Sequence, residues 1–251
     1  MNIKTQVLLK DMVFDWGFQA GIGAFETIAI YKRRPLFLYE HIKRLNDALM
    51  FFNIKKTISP SDLFNYISKT KEETYALKIM VSEKNTIIKK RANPYLKSPL
   101  YNKGATLKYS SVLKNETSPL TYHKSLAYSQ NILEKQKATK EGILDFIFCN
   151  TKGYITEGST CNIFFIKDKK IFSPSIESGL LPGIIRSYVI SKYKVEELLI
   201  SKDFIENTDE CFVTNSLMGI MPVRALEKKI FSKTKETSSI MRDYECFYKL
   251  L

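Results

Sequence analysis

The 251-residue chain carries one tryptophan, two histidines and four cysteines, and each scarcity closes a route. With His41 and His123 alone, a histidine-based catalytic triad has little material. Cys149, Cys161, Cys211 and Cys246 form no C-x-x-C pair, and neither histidine stands at a zinc-like spacing from them. No metal is expected, and the thiols read as buried and reduced, as in a cytoplasmic protein. No stretch approaches the roughly 18 apolar residues that span a bilayer. The opening "MNIKTQVLLKDMVF" has no long apolar core with a cleavage site, so neither membrane insertion nor export is expected. The phosphate loop G-x-x-x-x-G-K-[ST] and the nucleophile elbow G-x-S-x-G are both missing. "GIGAFE", residues 21–26, has two glycines of a dinucleotide fingerprint but Glu26 in the third place. It also precedes a strand instead of following one, which argues against a dinucleotide.

What is abundant is positive charge, a formal +13. The basic residues are scattered, with short clusters at Lys32-Arg33-Arg34 and Lys89-Lys90-Arg91 and no stripe or reading motif, so no nucleic-acid partner is expected. A basic balance also suits a small anionic substrate, whose local concentration it raises. With 44% hydrophobic and 26% charged residues the composition is that of a soluble globular chain.

The pattern mixes strands and helices without regular alternation, which predicts an α+β protein of two lobes. A strand after "GIGAF" turns at Lys32-Arg33-Arg34-Pro35 and returns through Leu36 and Phe37. Leu38, Ile42, Leu45, Leu49 and Phe52 then recur at helical spacing. Ser59-Pro60-Ser61-Asp62 reads as a helix start, and "YALKIMVS" alternates as a half-buried strand. "KNETSP" has connector chemistry, so the lobes are set at 1–113 and 114–251. A helix is expected from Leu126 to Lys140. Short strands follow at "LDFIFCN", "GYITEG", "CNIFFI" and "KIFSP", then a helix beginning at Pro182-Gly183, a strand "ECFVTN" and a closing amphipathic helix.

Three segments carry chemistry. Lys124 sits in "YHKSLAYSQN" among a hydroxyl, an apolar pair and Tyr128, an unusual setting for a solvated lysine. "GYITEGSTCNIFF" sets the carboxylate of Glu157 between two strand-like runs, with Ser159, Thr160 and Asn162 nearby. "LLPGIIR" offers a glycine and then unpaired helix N-terminal N–H groups, an anion site.

Together with "GFQAGIGAFET", "HIKRL" and "TNSLMGIMPV", and in this order, these segments resemble the class IV pyridoxal-phosphate family (fold type IV). That family includes branched-chain and D-amino-acid aminotransferases and 4-amino-4-deoxychorismate lyase. The resemblance covers nearly the whole chain and implies a two-lobed fold with the cofactor site between the lobes, and a homodimer. It implies that Lys124 bonds the cofactor aldehyde and shuttles protons, and that Glu157 faces the pyridine nitrogen. Arg44 would pair with the phosphate, joined by the N–H groups of Ile184 and Ile185 and by Ser216, while Tyr128 would bond the ring hydroxyl. One departure is Ile185, which stands where the family often has threonine, so one phosphate-facing hydroxyl is missing.

"GAFET" and "RANPY" resemble the lyase branch. Phe25 stands where D-specific aminotransferases carry tyrosine, Thr27 where branched-chain enzymes carry glycine, and Asn93 where the D-specific enzymes carry a carboxylate-trapping histidine. The implied activity is therefore conversion of 4-amino-4-deoxychorismate to 4-aminobenzoate and pyruvate, a step of folate biosynthesis. A branched-chain or D-amino-acid aminotransferase is the alternative. Phe25 and Arg91 are the candidate substrate contacts, Arg91 holding a carboxylate through its planar fork.

Overall fold

The computed structural model describes residues 12–250, so most of the opening segment that was read as carrying no export signal lies outside the described residues. The chain divides into two compact units. One comprises residues up to Pro94 together with His123–Tyr128; the other comprises Tyr95–Tyr122 and Ser129–Leu251. The division differs from the expected break at 113/114. The strand "ATLKYSSV" belongs to the second unit because it pairs there, and a six-residue piece beyond the connector returns to the first.

The first unit contains α1 (Trp16–Ala20), β1 (Ala24–Tyr31), β2 (Arg34–Pro35), α2 (Leu38–Phe51), α3 (Pro60–Ser68), β3 (Tyr75–Val81) and β4 (Thr86–Arg91). The strands form an antiparallel sheet in the order β2-β1-β3-β4. Alternation decides the faces. Ala24, Ile28 and Ile30 of β1 and Leu77, Ile79 and Val81 of β3 share a core with Leu38, Ile42, Leu45 and Leu49 of α2, as the helical spacing anticipated. Ser59 and Asp62 form the reciprocal capping box that opens α3. The return strand stops at Pro35, because Phe37 takes a left-handed conformation (φ 55°) at the entry to α2.

The second unit contains α4 (Leu100–Lys103), β5 (Ala105–Lys114), α5 (Ser129–Lys140), β6 (Asp145–Asn150), β7 (Ile155–Gly158), β8 (Asn162–Lys167) and β9 (Lys170–Pro174). It continues with α6 (Ile184–Lys192), β10 (Val195–Leu198), α7 (Lys202–Glu206), β11 (Glu210–Asn215), β12 (Gly219–Leu226), β13 (Lys229–Ile230) and α8 (Lys235–Leu250). Its sheet runs β10-β9-β8-β11-β12-β5-β6-β7, with β13 added beside β12. The pairs β9/β10, β12/β5 and β5/β6 are parallel. Strands β6 and β8 are buried nearly throughout, which is why they read as unbroken apolar runs. Phe164 and Phe212 stack at 4.7 Å across β8 and β11. Helix α5 begins at Ser129, not Leu126, because residues 124–126 are committed to main-chain pairing with β1.

A buried carboxylate ties α1 to the β3–β4 turn. Asp15 caps α1 by accepting from the Gly17 and Phe18 N–H groups. It also accepts from the Ser82 hydroxyl (2.7 Å), the Lys84 N–H (2.9 Å) and the Asn85 amide (3.0 Å). Burial would raise its pKa, but these donors outweigh burial and lower it to about 2. Asp15→Ala is expected to cost about 2 kcal/mol in urea unfolding near neutral pH. Since the folded pKa of about 2 lies below the ordinary 3.8, this stabilisation is complete above the ordinary value and is lost as pH falls through the folded one. The difference between wild type and variant should narrow over that interval; a constant difference would contradict the assignment.

Candidate active site

In the first unit, the segment carrying Lys124 is laid along the edge of β1. The Phe25 N–H donates to the Lys124 carbonyl (3.0 Å), the Leu126 N–H donates to the Gly23 carbonyl (2.9 Å), and Ala24 bridges Ser125. Two glycines allow this approach. A Cβ at Gly21 (φ +68°) would lie 2.9 Å from the Ala127 backbone, and one at Gly23 would lie 2.4 Å from the Val81 carbonyl and 2.7 Å from the Leu126 side chain. The glycines of "GIGAFE" therefore serve chain packing.

The pairing sets the Lys124 amine over aromatic rings, with Nζ 4.4 Å from the Phe25 centroid and 5.0 Å from that of Tyr128. Phe25 and Tyr128 meet edge to face at 5.1 Å. Three of the sequence-predicted residues, Phe25, Lys124 and Tyr128, are thus brought together. A fourth group was missed: Lys78 Nζ also lies 4.4 Å from the Phe25 centroid. Burial, and then the charges of Arg91 and Lys89, push the Lys78 pKa below its usual value. The registers explain the grouping, because Thr27, Lys78 and Lys89 form one cross-strand row and Ala29, Ala76 and Arg91 the next. Arg91 itself is exposed. The signal in the sequence was the phase of "YALKIMV", which puts Lys78 on the face opposite the apolar core.

Arg44, expected to pair with a phosphate, is held by a carboxylate. Its Nε donates to Glu26 Oε1 (2.6 Å) and its Nη2 to Oε2 (2.9 Å), while His41 Nδ1 lies 2.7 Å from Oε2. Glu26 and His41 are both buried. Burial would raise the Glu26 pKa, but Arg44 and His41 outweigh it and hold the carboxyl far below the usual range. Burial lowers the His41 pKa, aided by the charges of Arg44 and Lys124 and opposed by Glu26.

In the second unit, Glu157 stands next to the end of β7, almost fully buried. Its Oε2 accepts from the Leu181 N–H (3.1 Å) and the Asn162 amide (3.4 Å), and its Oε1 lies 3.4 Å from Lys114 Nζ. Lys114 also donates to Asn131 (3.3 Å), whose amide reaches the Ser159 carbonyl (2.8 Å). The turn after Glu157 is organised by buried Asp145, which accepts from the Ser159 N–H and hydroxyl, the Thr160 N–H and hydroxyl, and the Cys161 thiol. Lys114 and Asp145 were not anticipated, since each is remote in sequence from the carboxylate it serves.

Asn162 links Glu157 to the start of α6. Its amide donates to the Leu181 carbonyl (3.0 Å), and a Cβ at Gly183 would lie 1.9 Å from its Oδ1. Helix α6 begins with Gly183 at the cap, no side-chain cap and no acidic residue in its first turn, so the N–H groups of Ile184 and Ile185 lie at an uncapped helix N-terminus. Ser216 lies in the turn after β11, a turn held by Asn215, which accepts from the Leu217 and Met218 N–H groups and donates to the Thr160 carbonyl. Taken by itself, the first unit offers an amine set on aromatic faces, which suits an aldehyde; the second offers a buried carboxylate backed by a lysine, which suits a pyridine nitrogen, and an anion-ready helix end, which suits a phosphate.

The class these features define is matched by direct comparison. The family profile of class IV amino-transferases matches residues 23–226, and the chain belongs to that pyridoxal-phosphate-dependent family. Aminodeoxychorismate lyase of Bacillus subtilis is 27% identical over 93% of this chain and 88% of its own length. A Thermotoga maritima protein named as a probable branched-chain-amino-acid aminotransferase is 27% identical over 96% and 91%. Branched-chain aminotransferase of Thermoproteus uzoniensis superposes with a TM-score of 0.83 at 19% identity, covering 96% of this chain and 90% of that one, a likeness of fold.

Gly183→Ala should destabilise the protein by about 1–3 kcal/mol, because the new methyl group displaces an Asn162 side chain pinned by its own hydrogen bonds. The double substitution Asn162→Ser/Gly183→Ala should cost less than the sum of the two single changes in urea unfolding. Strict additivity would show that the contact is not the cause.

Proposed function

We propose that this chain is a pyridoxal-phosphate-dependent lyase that converts 4-amino-4-deoxychorismate to 4-aminobenzoate and pyruvate, acting in the cytoplasm as a homodimer. The observation that carries the reading is the basic sheet face next to Lys124, where Lys78, Lys89 and Arg91 occupy adjacent cross-strand rows beside Phe25. A substrate with two carboxylates matches such a face. A branched-chain amino acid, with one carboxylate and an apolar side chain, would leave the desolvated Lys78 ammonium without a compensating charge. The Bacillus subtilis relative supports the same reading.

The roles follow from the chemistry of each group. Bound pyridoxal phosphate supplies a sink for the electron pair released at the amine-bearing carbon. Lys124 Nζ takes the proton from that carbon, and the aromatic walls of Phe25 and Tyr128 limit where the amine swings. The C–O bond to the enolpyruvyl group breaks, the ring becomes aromatic, and the departing enolate takes up one proton at its methylene carbon to become pyruvate. Lys78 and Arg91 hold the carboxylates. Glu157, held in place by Lys114, Asn162 and the Leu181 N–H, would face the pyridine nitrogen and keep its proton. Arg44, the Ile184 and Ile185 N–H groups and Ser216 would hold the phosphate, and Tyr128 would bond the ring hydroxyl.

The aminotransferase reading is the other outcome of the decisive test, since the Thermotoga maritima relative is equally similar. Cofactor-loaded protein is given aminodeoxychorismate alone or an amino acid with 2-oxoglutarate. The expected product is 4-aminobenzoate without any need for a 2-oxo acid; transamination with no 4-aminobenzoate overturns the lyase reading. Lys124→Ala should abolish turnover. Lys78→Met should raise KM for the dianionic substrate about tenfold or more with a smaller effect on kcat; an unchanged KM would remove Lys78 from the substrate site.

A further inference from the structure

The chain re-enters the first unit at His123, one residue before Lys124. The half-buried imidazole lies nearly flat on Phe51, with ring centroids 4.0 Å apart and planes 20° from parallel, and stands 6.4 Å from Phe52 at 60°. Phe51 and Phe52 meet each other edge to face at 5.0 Å. Phe51 is the last residue of α2 and Phe52 its cap, so both rings hang from a fixed helix end. There the Phe52 N–H donates to the Ala48 carbonyl (3.1 Å), the Asn53 N–H to that of Met50 (3.0 Å) and the Ile54 N–H to that of Leu49 (2.9 Å). Phe52 also packs against the core shared by β1, β3 and α2. On the other side, Lys124 is tied to β1 through its own carbonyl and through the Leu126 N–H. The lysine is therefore held from both directions of the chain, by a ring stack before it and by main-chain pairing at and after it.

Resting on the pyridoxal-phosphate reading above, we infer that His123 is a positioning residue for Lys124, acting through its stack on Phe51. When Lys124 Nζ bonds the aldehyde carbon, the carbonyl oxygen leaves as water, and the nitrogen lone pair must meet that carbon along one approach. A main chain fixed on both sides of the lysine sets where the side chain starts, so less freedom is lost when the bond forms. The role belongs to the flat face of the ring and not to its nitrogens. That separates it from acid–base work by a histidine beside the reacting amine. The two roles make opposite predictions for His123→Phe, which keeps a flat ring and discards both nitrogens.

The test is a pair of equilibrium titrations of apo-protein, with pyridoxal phosphate and with pyridoxamine phosphate, read by the absorbance and fluorescence of the bound vitamer, not by turnover. Pyridoxamine phosphate has an amine in place of the aldehyde and cannot bond Lys124, so it reports the rest of the cofactor site alone. His123→Ala should weaken pyridoxal phosphate about threefold to tenfold, the scale of one aromatic contact, while pyridoxamine phosphate stays within about twofold. Phe51→Ala should do the same, and the double variant should lose no more than either single one, because the two rings make one contact. His123→Phe should bind both vitamers as the wild type does. If His123→Ala does not fold, Phe51→Ala answers the same question from the other ring. Unchanged binding of pyridoxal phosphate in either alanine variant overturns the inference. So does equal weakening of both vitamers, which marks a merely structural contact. A His123→Phe variant as weak as His123→Ala also overturns it, by assigning the role to the imidazole nitrogens. In the wild type, borohydride reduction of the pyridoxal phosphate complex should leave the cofactor on the Lys124 peptide in mass spectrometry. A peptide without that label overturns the cofactor reading itself, a failure distinct from the others.

Discussion

The site rests on a short piece of main-chain pairing, the docking of residues 124–126 against residues 23–25 at the edge of β1. Two hydrogen bonds and a bridge bring a segment from beyond the connector back to a strand a hundred residues earlier. They also define which side of β1 the Lys124 amine occupies. Gly21 and Gly23 let the backbones approach, and Phe25 and Tyr128 give the amine two aromatic faces. A lysine tethered at its own carbonyl and bounded by rings retains few positions, which suits the proton-carrying role proposed for it.

Each unit contains a buried glutamate whose partner is a basic side chain on another element. Glu26 is satisfied by Arg44 and His41, and Glu157 by Lys114, Asn162 and the Leu181 N–H. Burying a carboxylate is costly unless its lone pairs are taken up. Here the partners also give each acid one orientation. The Asp145 knot around residues 159–161 works in the same way, converting a polar turn into a rigid support for the end of β7.

The charge of +13 acquires a local meaning on the face of the four-stranded sheet. Two of the cations there, Lys89 and Arg91, come from a run that reads as ordinary solvated surface. The third, Lys78, is buried enough for its pKa to fall. Like charges in adjacent rows repel, an arrangement that an anionic ligand relieves. On the proposed reading, this local repulsion is what a dianionic substrate would relieve.

Much of the secondary structure was legible because local signals agreed with the fold. The apolar spacing of α2, the Ser59–Asp62 capping box, the Gly183 start of α6 and the apolar runs of β6 to β9 all formed where propensity and pattern directed them. Lys124, Glu157 and the "LLPGIIR" helix start stood out for the same reason, each being a polar group set in an apolar or capping context. Strand β4 was missed because "IIKKR" hides its alternation behind charge, and the start of α5 was misplaced because a distant strand claimed residues 124–126. By itself, then, the sequence determined most of the elements and the family and singled out the candidate reacting groups, since these follow from neighbours within a few residues. Only the tertiary structure decided that Glu26 holds Arg44, that Lys114 backs Glu157, and that Lys78 shares a ring with Lys124. Those pairings span roughly 18 to 46 positions of chain, a range at which register and burial, not local propensity, choose the partner.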